Sequence, residues 1–261
     1  MTAEYSIETC QKLMQEFQAC RLHRPLRISH YDPGTELHYE VTGVVPAVSA
    51  KLHLQVEKFV GGGFAGQVYR VKVLHLEAEP GCLPGIQVGG FYAVKILIPP
   101  SRFSLFFRNA VYGLGFQGPF QLQVNPAAAR AGVLWQKFIR RAAKIRFGDE
   151  SCVVDVLATF IDSQVGSCGE ISEWVEGRTW RFEVDDHVDL LKRWKKGQPV
   201  EETKVGSPEY RAKYRFMKEF VRLLHEIGAP EFARQYEWST CKSQPNCLKR
   251  TETDSTPETG L

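Results

Sequence analysis

The stretch that most constrains the fold of this chain is residues 51–76, where two alternating runs meet at a glycine cluster. Apolar and polar residues alternate from Leu52 to Val60, are interrupted by Gly61-Gly62-Gly63-Phe64-Ala65-Gly66, and alternate again from Gln67 to Leu76. A period of two is the signature of a half-buried strand, and glycines supply the backbone freedom of a tight turn. A loop rich in Gly and Pro (77–90) then leads to a third apolar run, Phe91 to Ile98, which Pro99-Pro100 ends. The pattern predicts strand, glycine turn, strand, loop, strand.

Further along, residues 126–147 read as a helix that Pro126 opens and Gly148-Asp149 ends, with Leu134, Phe138 and Ile139 on one face. Residues 152–162 and 168–177 read as two more strands. Helical patterns occupy 6–21, 188–197 and 207–228, the last ending at Gly228, and 22–50 reads as an extension of the main domain. Strands dominate 51–177 and helices dominate afterwards, so the expectation is an α+β chain with two lobes.

Composition removes several classes. With 43% hydrophobic and 24% charged residues the chain is neither disordered nor fibrous. No period of 20–50 residues points to a solenoid. The first 25 residues lack the apolar core of a signal peptide, and the longest uncharged stretch, Asn109 to Ala129, is broken by Gly and Pro, so no membrane span is expected. Seven scattered cysteines without a CxxC pair argue against a zinc or disulfide framework and suit a reducing cytoplasm. The seven histidines show no metal-ligand spacing along the chain. The net charge of +3 is mild, but Ile96 to Gly148 holds Arg102, Arg108, Arg130, Lys137, Arg140, Arg141, Lys144 and Arg146 and no acid. This +8 segment is either a solvated helix face or a docking surface for an acidic partner or anionic lipid; nucleic acid is not the expected partner.

The glycine cluster fits G-x-G-x-x-G-x-V at Gly61, Gly63, Gly66 and Val68. Such glycines let backbone N–H groups approach phosphate oxygens, although a hairpin without ligand uses the same residues. A dinucleotide-binding unit would place a helix after the glycines, whereas an alternating run follows here. The next strand contains Ala93-Val94-Lys95. A lysine within the apolar run FYAVKILI needs an anionic partner.

These residues resemble the protein-kinase-like superfamily, particularly the aminoglycoside-phosphotransferase-like and related atypical kinases. Glu173-Trp174-Val175-Glu176-Gly177 is similar to an interlobe hinge, and the run from Leu223 to Arg250 is similar to the family's catalytic region. The resemblance implies a two-lobe protein-kinase-like fold, with a β-rich N-lobe carrying one helix (51–173) and an incomplete helical C-lobe (174–250). Residues 1–50 would form a helix and extension, and 251–261 a polar tail. It implies ATP and Mg²⁺ as ligands. Gly61, Gly63, Phe64, Gly66 and Val68 would hold the phosphates, and Lys95 would be the catalytic lysine on the α/β-phosphates. Backbone groups of Glu173 and Val175 would take the adenine, Ser172 would be gatekeeper, and Asn246 would ligate the metal. The implied activity is phosphoryl transfer to an unknown protein or small-molecule acceptor; the alternative is an inactive pseudokinase serving as a binding or scaffold module.

The chain departs from the family pattern in three places. No Asp or Glu lies between Lys95 and Asp149, so Lys95 must find its acid elsewhere or pair with phosphate directly; Gln136 can only hydrogen-bond. Five residues before Asn246, where a catalytic aspartate belongs, stands Cys241, with Glu237 the nearest upstream carboxylate and Lys242 beside it. After Asn246 the acids Glu252, Asp254 and Glu258 lie in a polar tail, so the chain reads as C-terminally truncated.

Overall fold

The computed structural model describes residues 30–62, 66–79, 81, 83–97, 126–181, 208–230, 232–233 and 243–250, with 12, 15, 106 and 110 singly. Two compact units emerge, one of residues 1–141 and 153–174, the other of 142–152 and 175–261.

In the first unit six strands form a closed barrel. They are β1 (Glu36–Gly43), β2 (Ser49–Gly62), β3 (Gly66–Glu77), β4 (Phe91–Leu97), β5 (Val156–Asp162) and β6 (Ser167–Glu173). Their order is β1-β2-β3-β4-β6-β5, every neighbouring pair is antiparallel, and β5 returns to β1 with Val41 opposite Phe160. The period-two pattern selects the inner face. Leu37, Tyr39 and Val41 of β1, Leu52, Leu54 and Val56 of β2, and Tyr69, Val71 and Val73 of β3 all point inward. Tyr92, Val94 and Ile96 of β4, Phe160 of β5 and Ile171 of β6 complete the filling. Each such side chain contributes about 1.5–3 kcal/mol of burial, and the short ladder from Val41–Gly43 to β5 closes the sheet. The long β2–β3 ribbon shifts register at His53/Leu54, Val56/Lys58 and Phe59/Gly61. Such bulges bend a ribbon that would otherwise be too flat to close.

The helix α1 (Pro126–Phe147) forms where the periodicity predicts it, and it stops at Gly148, whose φ of 78° favours glycine. Val133 packs with Val44 and Val156 on the barrel's outside. Arg130 is buried, and its guanidinium donates to the carbonyls of Gly43 at 2.6 Å and Val44 at 3.1 Å. Those carbonyls lie where β1 ends and the ladder no longer supplies donors. Gln136 donates to Val154 O at 2.9 Å, and Lys137 and Arg140 bond Asp155 and Val153 O respectively.

The second unit holds α2 (Pro208–Glu226), which buries Met217, Phe220, Leu223 and Leu224 and ends at Gly228 with φ 76°. Phe216 lies between the rings of Phe147 and Phe220. Arg146 reaches Glu219 and Glu226, each at 3.5 Å. Strands β7 (Gly177–Arg181) and β8 (Ser243–Arg250) form a separate antiparallel pair, and Arg250 bonds Ser151 O.

This architecture overturns the expected two-lobe protein-kinase-like fold with an incomplete helical C-lobe. The described residues hold a closed six-stranded antiparallel barrel and two helices. The physical reason is β1. It lies in the stretch read as an extension, yet its alternating residues pair with β2 on one side and β5 on the other. An open sheet thereby becomes a barrel. Downstream, the segment read as a catalytic loop is strand β8. The helices expected at 6–21 and 188–197 lie outside the described residues, residues 12 and 15 apart. No described helix is long and apolar enough to cross a membrane.

Candidate functional site

The glycine cluster lies at the junction of β2 and β3, and the β3–β4–β6 ladder continues from it as one outward-facing row. Gly61 pairs with Val68, Val68 with Lys95, and Lys95 with Glu170. Directly paired residues of antiparallel strands point to the same face, so these four positions line up across four strands. Because β4 alternates, Tyr92, Val94 and Ile96 fill the barrel and Lys95 points out, half-buried. The lysine inside an apolar run is thus explained by a strand buried on one face only.

Lys95 Nζ lies 3.1 Å from Glu170 Oε1. The Glu170 carboxylate holds the Lys95 ammonium above its ordinary pKa, against the opposing pull of burial. The side chains are 40% and 21% exposed, so the pair contributes little to stability, on the order of 0–1 kcal/mol. Its oxygens and ammonium protons keep room for a further partner. Sequence reasoning left the acid opposite Lys95 open. The alternation of 168–177 puts Glu170 on the outer face, but only the pairing of β4 with β6 brings it to Lys95.

The glycines of the row have different causes. A Cβ on Gly66 would meet Ile96 O at 2.7 Å, so close packing of β3 on β4 demands glycine there. A Cβ on Gly61 would meet nothing within 4 Å, and the position has no positive φ. No packing contact requires glycine at 61, which sits at the Phe59/Gly61 register shift of the ribbon. A strand glycine of this kind marks a bulge or a place where a ligand approaches the backbone. Gly63 and Phe64 lie outside the described residues.

The next outward row runs Arg70–Ala93–Ser172. Arg70 lies over Phe91 at 4.4 Å and Trp174 at 5.0 Å, and Glu57 holds its Nε at 2.7 Å. Glu173 ends β6 with its N–H on Asp155 O and its Oε1 accepting from Asp155 N, both at 2.9 Å. Val175 is buried and belongs to the second unit. Asn246 lies in β8 of that unit, on a strand and not on the loop expected for a metal ligand. Glu237, Cys241 and Lys242 lie outside the described residues. Gln136 is engaged by Val154.

The +8 segment is mostly consumed internally. Arg130, Lys137, Arg140, Lys144 and Arg146 each bond a carbonyl or carboxylate of the chain, and Arg141 is exposed. Arg102 and Arg108 lie outside the described residues.

A second polar cluster sits inside the barrel, where sequence reasoning placed nothing. Asp162 is fully buried. Tyr39 donates to it at 2.5 Å, Tyr31 at 2.8 Å, and the N–H of Val165 at 2.8 Å. Tyr69 donates to Gln67 Oε1 at 2.6 Å and accepts from Tyr31 N–H. Burial first, then the Asp162 charge, raise the Tyr39 and Tyr31 phenols far above their ordinary pKa. Every oxygen of Asp162 has a donor, so the buried carboxylate is satisfied within the fold.

No protein-family model matches the chain, and no curated protein sequence matches it.

Proposed function

We propose that this chain binds ATP with Mg²⁺ on the outer face of β2, β3, β4 and β6, as a nucleotide-binding module without phosphotransferase activity. The observation that carries the reading is the row Gly61–Val68–Lys95–Glu170. It sets a half-exposed ammonium in line with a glycine that no packing contact requires. A polyphosphate requires both a cation held in place and backbone N–H groups that no side chain screens. The resemblance of the glycine run to the protein-kinase-like superfamily is carried forward for the ligand alone, not for the fold. Glu170 orients Lys95, and its carboxylate suits Mg²⁺, which keeps most of its waters and takes one or two carboxylates beside phosphate oxygens.

Binding without transfer is favoured by what surrounds the row. Phosphoryl transfer needs a metal ligand and a base positioned on the acceptor. Glu170 is the one carboxylate of the row, and as the metal's ligand beside Lys95 it is not free to act as that base.

The test is thermal unfolding with and without Mg-ATP on the full chain, Lys95→Ala and Gly61→Val. A ligand at a hundred times its Kd stabilises by about 2.7 kcal/mol. The unmodified chain should show such a shift and both variants should lose it. Gly61→Val adds its Cβ in open space, so its fold stays intact while the phosphate approach is blocked. An equal shift in all three proteins, or none in the folded parent chain, overturns the site. Release of ADP by the parent chain but not by Lys95→Ala would overturn the module reading in favour of phosphoryl transfer.

A further inference from the structure

The opposite flank of the barrel carries a cluster that the nucleotide reading does not use. Glu36 and His38 are two residues apart on β1 and so share its outer face. His53 on β2 pairs directly with His38. The two imidazoles stack with centroids 4.1 Å apart and planes 19° from parallel. Glu36 Oε2 lies 2.8 Å from His53 Nε2. One ligand atom from each of the three residues falls within 4.8 Å of the others, in a group of two imidazoles and one carboxylate.

We infer that Glu36, His38 and His53 form a binding site for a divalent transition-metal ion of the Zn²⁺ class. The donor set is chemically apt, because imidazole suits Zn²⁺, Cu²⁺ and Ni²⁺, and two histidines with one glutamate is a known zinc ligand set that leaves a fourth position for water. The geometry is close to what the ion needs. Donor atoms around a tetrahedral zinc lie roughly 3.3 Å apart, given Zn–N bonds of about 2.0–2.1 Å. The present spread within 4.8 Å closes to that by side-chain rotation alone, since all three groups are at least partly exposed. The backbone is fixed by the β1–β2 ladder, and strands position ligands better than loops do. The Glu36–His53 hydrogen bond holds the two donors together until the ion replaces the shared proton. His75, which pairs with His53 from β3, flanks the cluster without joining it.

Linear spacing concealed this site. His38 and His53 are brought together by the β1–β2 register, and that register was not legible while residues 22–50 read as an extension.

Cobalt(II) is the probe of choice, because its visible bands report ligand geometry and its near-ultraviolet thiolate band reports cysteine ligation. The full chain, cleared of metal and titrated at pH 7.5, should bind one equivalent without a thiolate band. Removing a ligand should weaken binding at least as much as the 10–100-fold that loss of a supporting residue costs. His38→Ala and His53→Ala should both show that loss, while His75→Ala keeps the affinity. Glu36→Gln, which preserves size, should weaken binding and so guards against a variant that fails to fold. Binding that survives in His38→Ala or His53→Ala overturns the site. So does a thiolate band, or a loss in His75→Ala with none in Glu36→Gln.

Discussion

Asp162 and Glu170 stand on neighbouring strands of one barrel, on opposite sides of its wall. Asp162 ends β5 facing inward, fully buried, with two phenols and a backbone N–H on its oxygens. Glu170 faces outward from β6, partly exposed, with the Lys95 ammonium beside it. The inner carboxylate has no freedom, because a buried charge must be fully satisfied. The outer one keeps solvent access and a half-exposed cationic partner. A carboxylate inside the wall therefore serves the fold, and one outside it is available to a ligand. The same alternation of strand residues, period two, decides which is which.

Substitutions that break this contrast should rank in a definite order. Asp162→Ala strands the buried Tyr39 hydroxyl and the half-buried Tyr31 hydroxyl and removes a filled charge site, so it should cost about 3 kcal/mol or more, read from urea unfolding. Should Glu170→Gln cost as much, the inner and outer carboxylates do not differ in kind. Gly169→Ala tests the wall between them. Its added methyl would meet Phe160 at 2.5 Å and the Lys95 carbonyl at 2.6 Å, and overpacking of this type costs about 1–3 kcal/mol. Glu170→Gln itself should change stability by less than about 1 kcal/mol. It should nonetheless weaken Mg-ATP binding, measured by calorimetry, if Lys95 needs its orienting partner.

The smallest effect sharpens the comparison through pH. Cys168 lies in the same strand as Glu170, and burial, then the Glu170 charge, push its thiol up to about 12. Above the ordinary value of 9.0 the unfolded chain's thiol ionises while the folded one stays neutral. The unfolded state then binds fewer protons, so stability falls as pH rises from about 9 to 12. The raised Tyr31, Tyr39 and Tyr69 phenols act in the same direction above their ordinary value of 10.0. Lys95, also raised, contributes stability that is complete below 10.5 and lost as pH climbs through its folded value. Urea midpoints between pH 8 and 11 should decline, and Cys168→Ala should decline less steeply.

What the sequence discloses depends on whether the cause is local. The α1 helix was legible to the residue, because Pro126, an apolar stripe and Gly148 all lie within it. The ribbon of β2 and β3 and the strand β4 were legible from alternation. Closure was not. β1 alternates as clearly as β2, but its ladder to β5 joins residues more than a hundred positions apart, and no local pattern encodes that. β8 contains Pro245 and Asn246, which suit loops, so its strand form rests on pairing with β7. At the candidate sites, Lys95 and the glycines were visible as a motif, whereas Glu170, Glu36, His38 and His53 gain their meaning from cross-strand register. The basic segment misled because charge was counted without asking which cations the fold uses. Arg130 is spent on the carbonyls at the end of β1.

The β1–β5 seam also sets a timetable. Val41 and its partner Phe160 are 119 residues apart in the chain (160 minus 41). Synthesis at about 5–20 residues per second separates their emergence by roughly 6–24 s. During that interval β1 has β2 on one side and a bare row of backbone donors and acceptors on the other. Such an edge is a template for any passing strand. The nascent chain is therefore most open to mispairing in the middle of its own synthesis, until residue 162 has emerged.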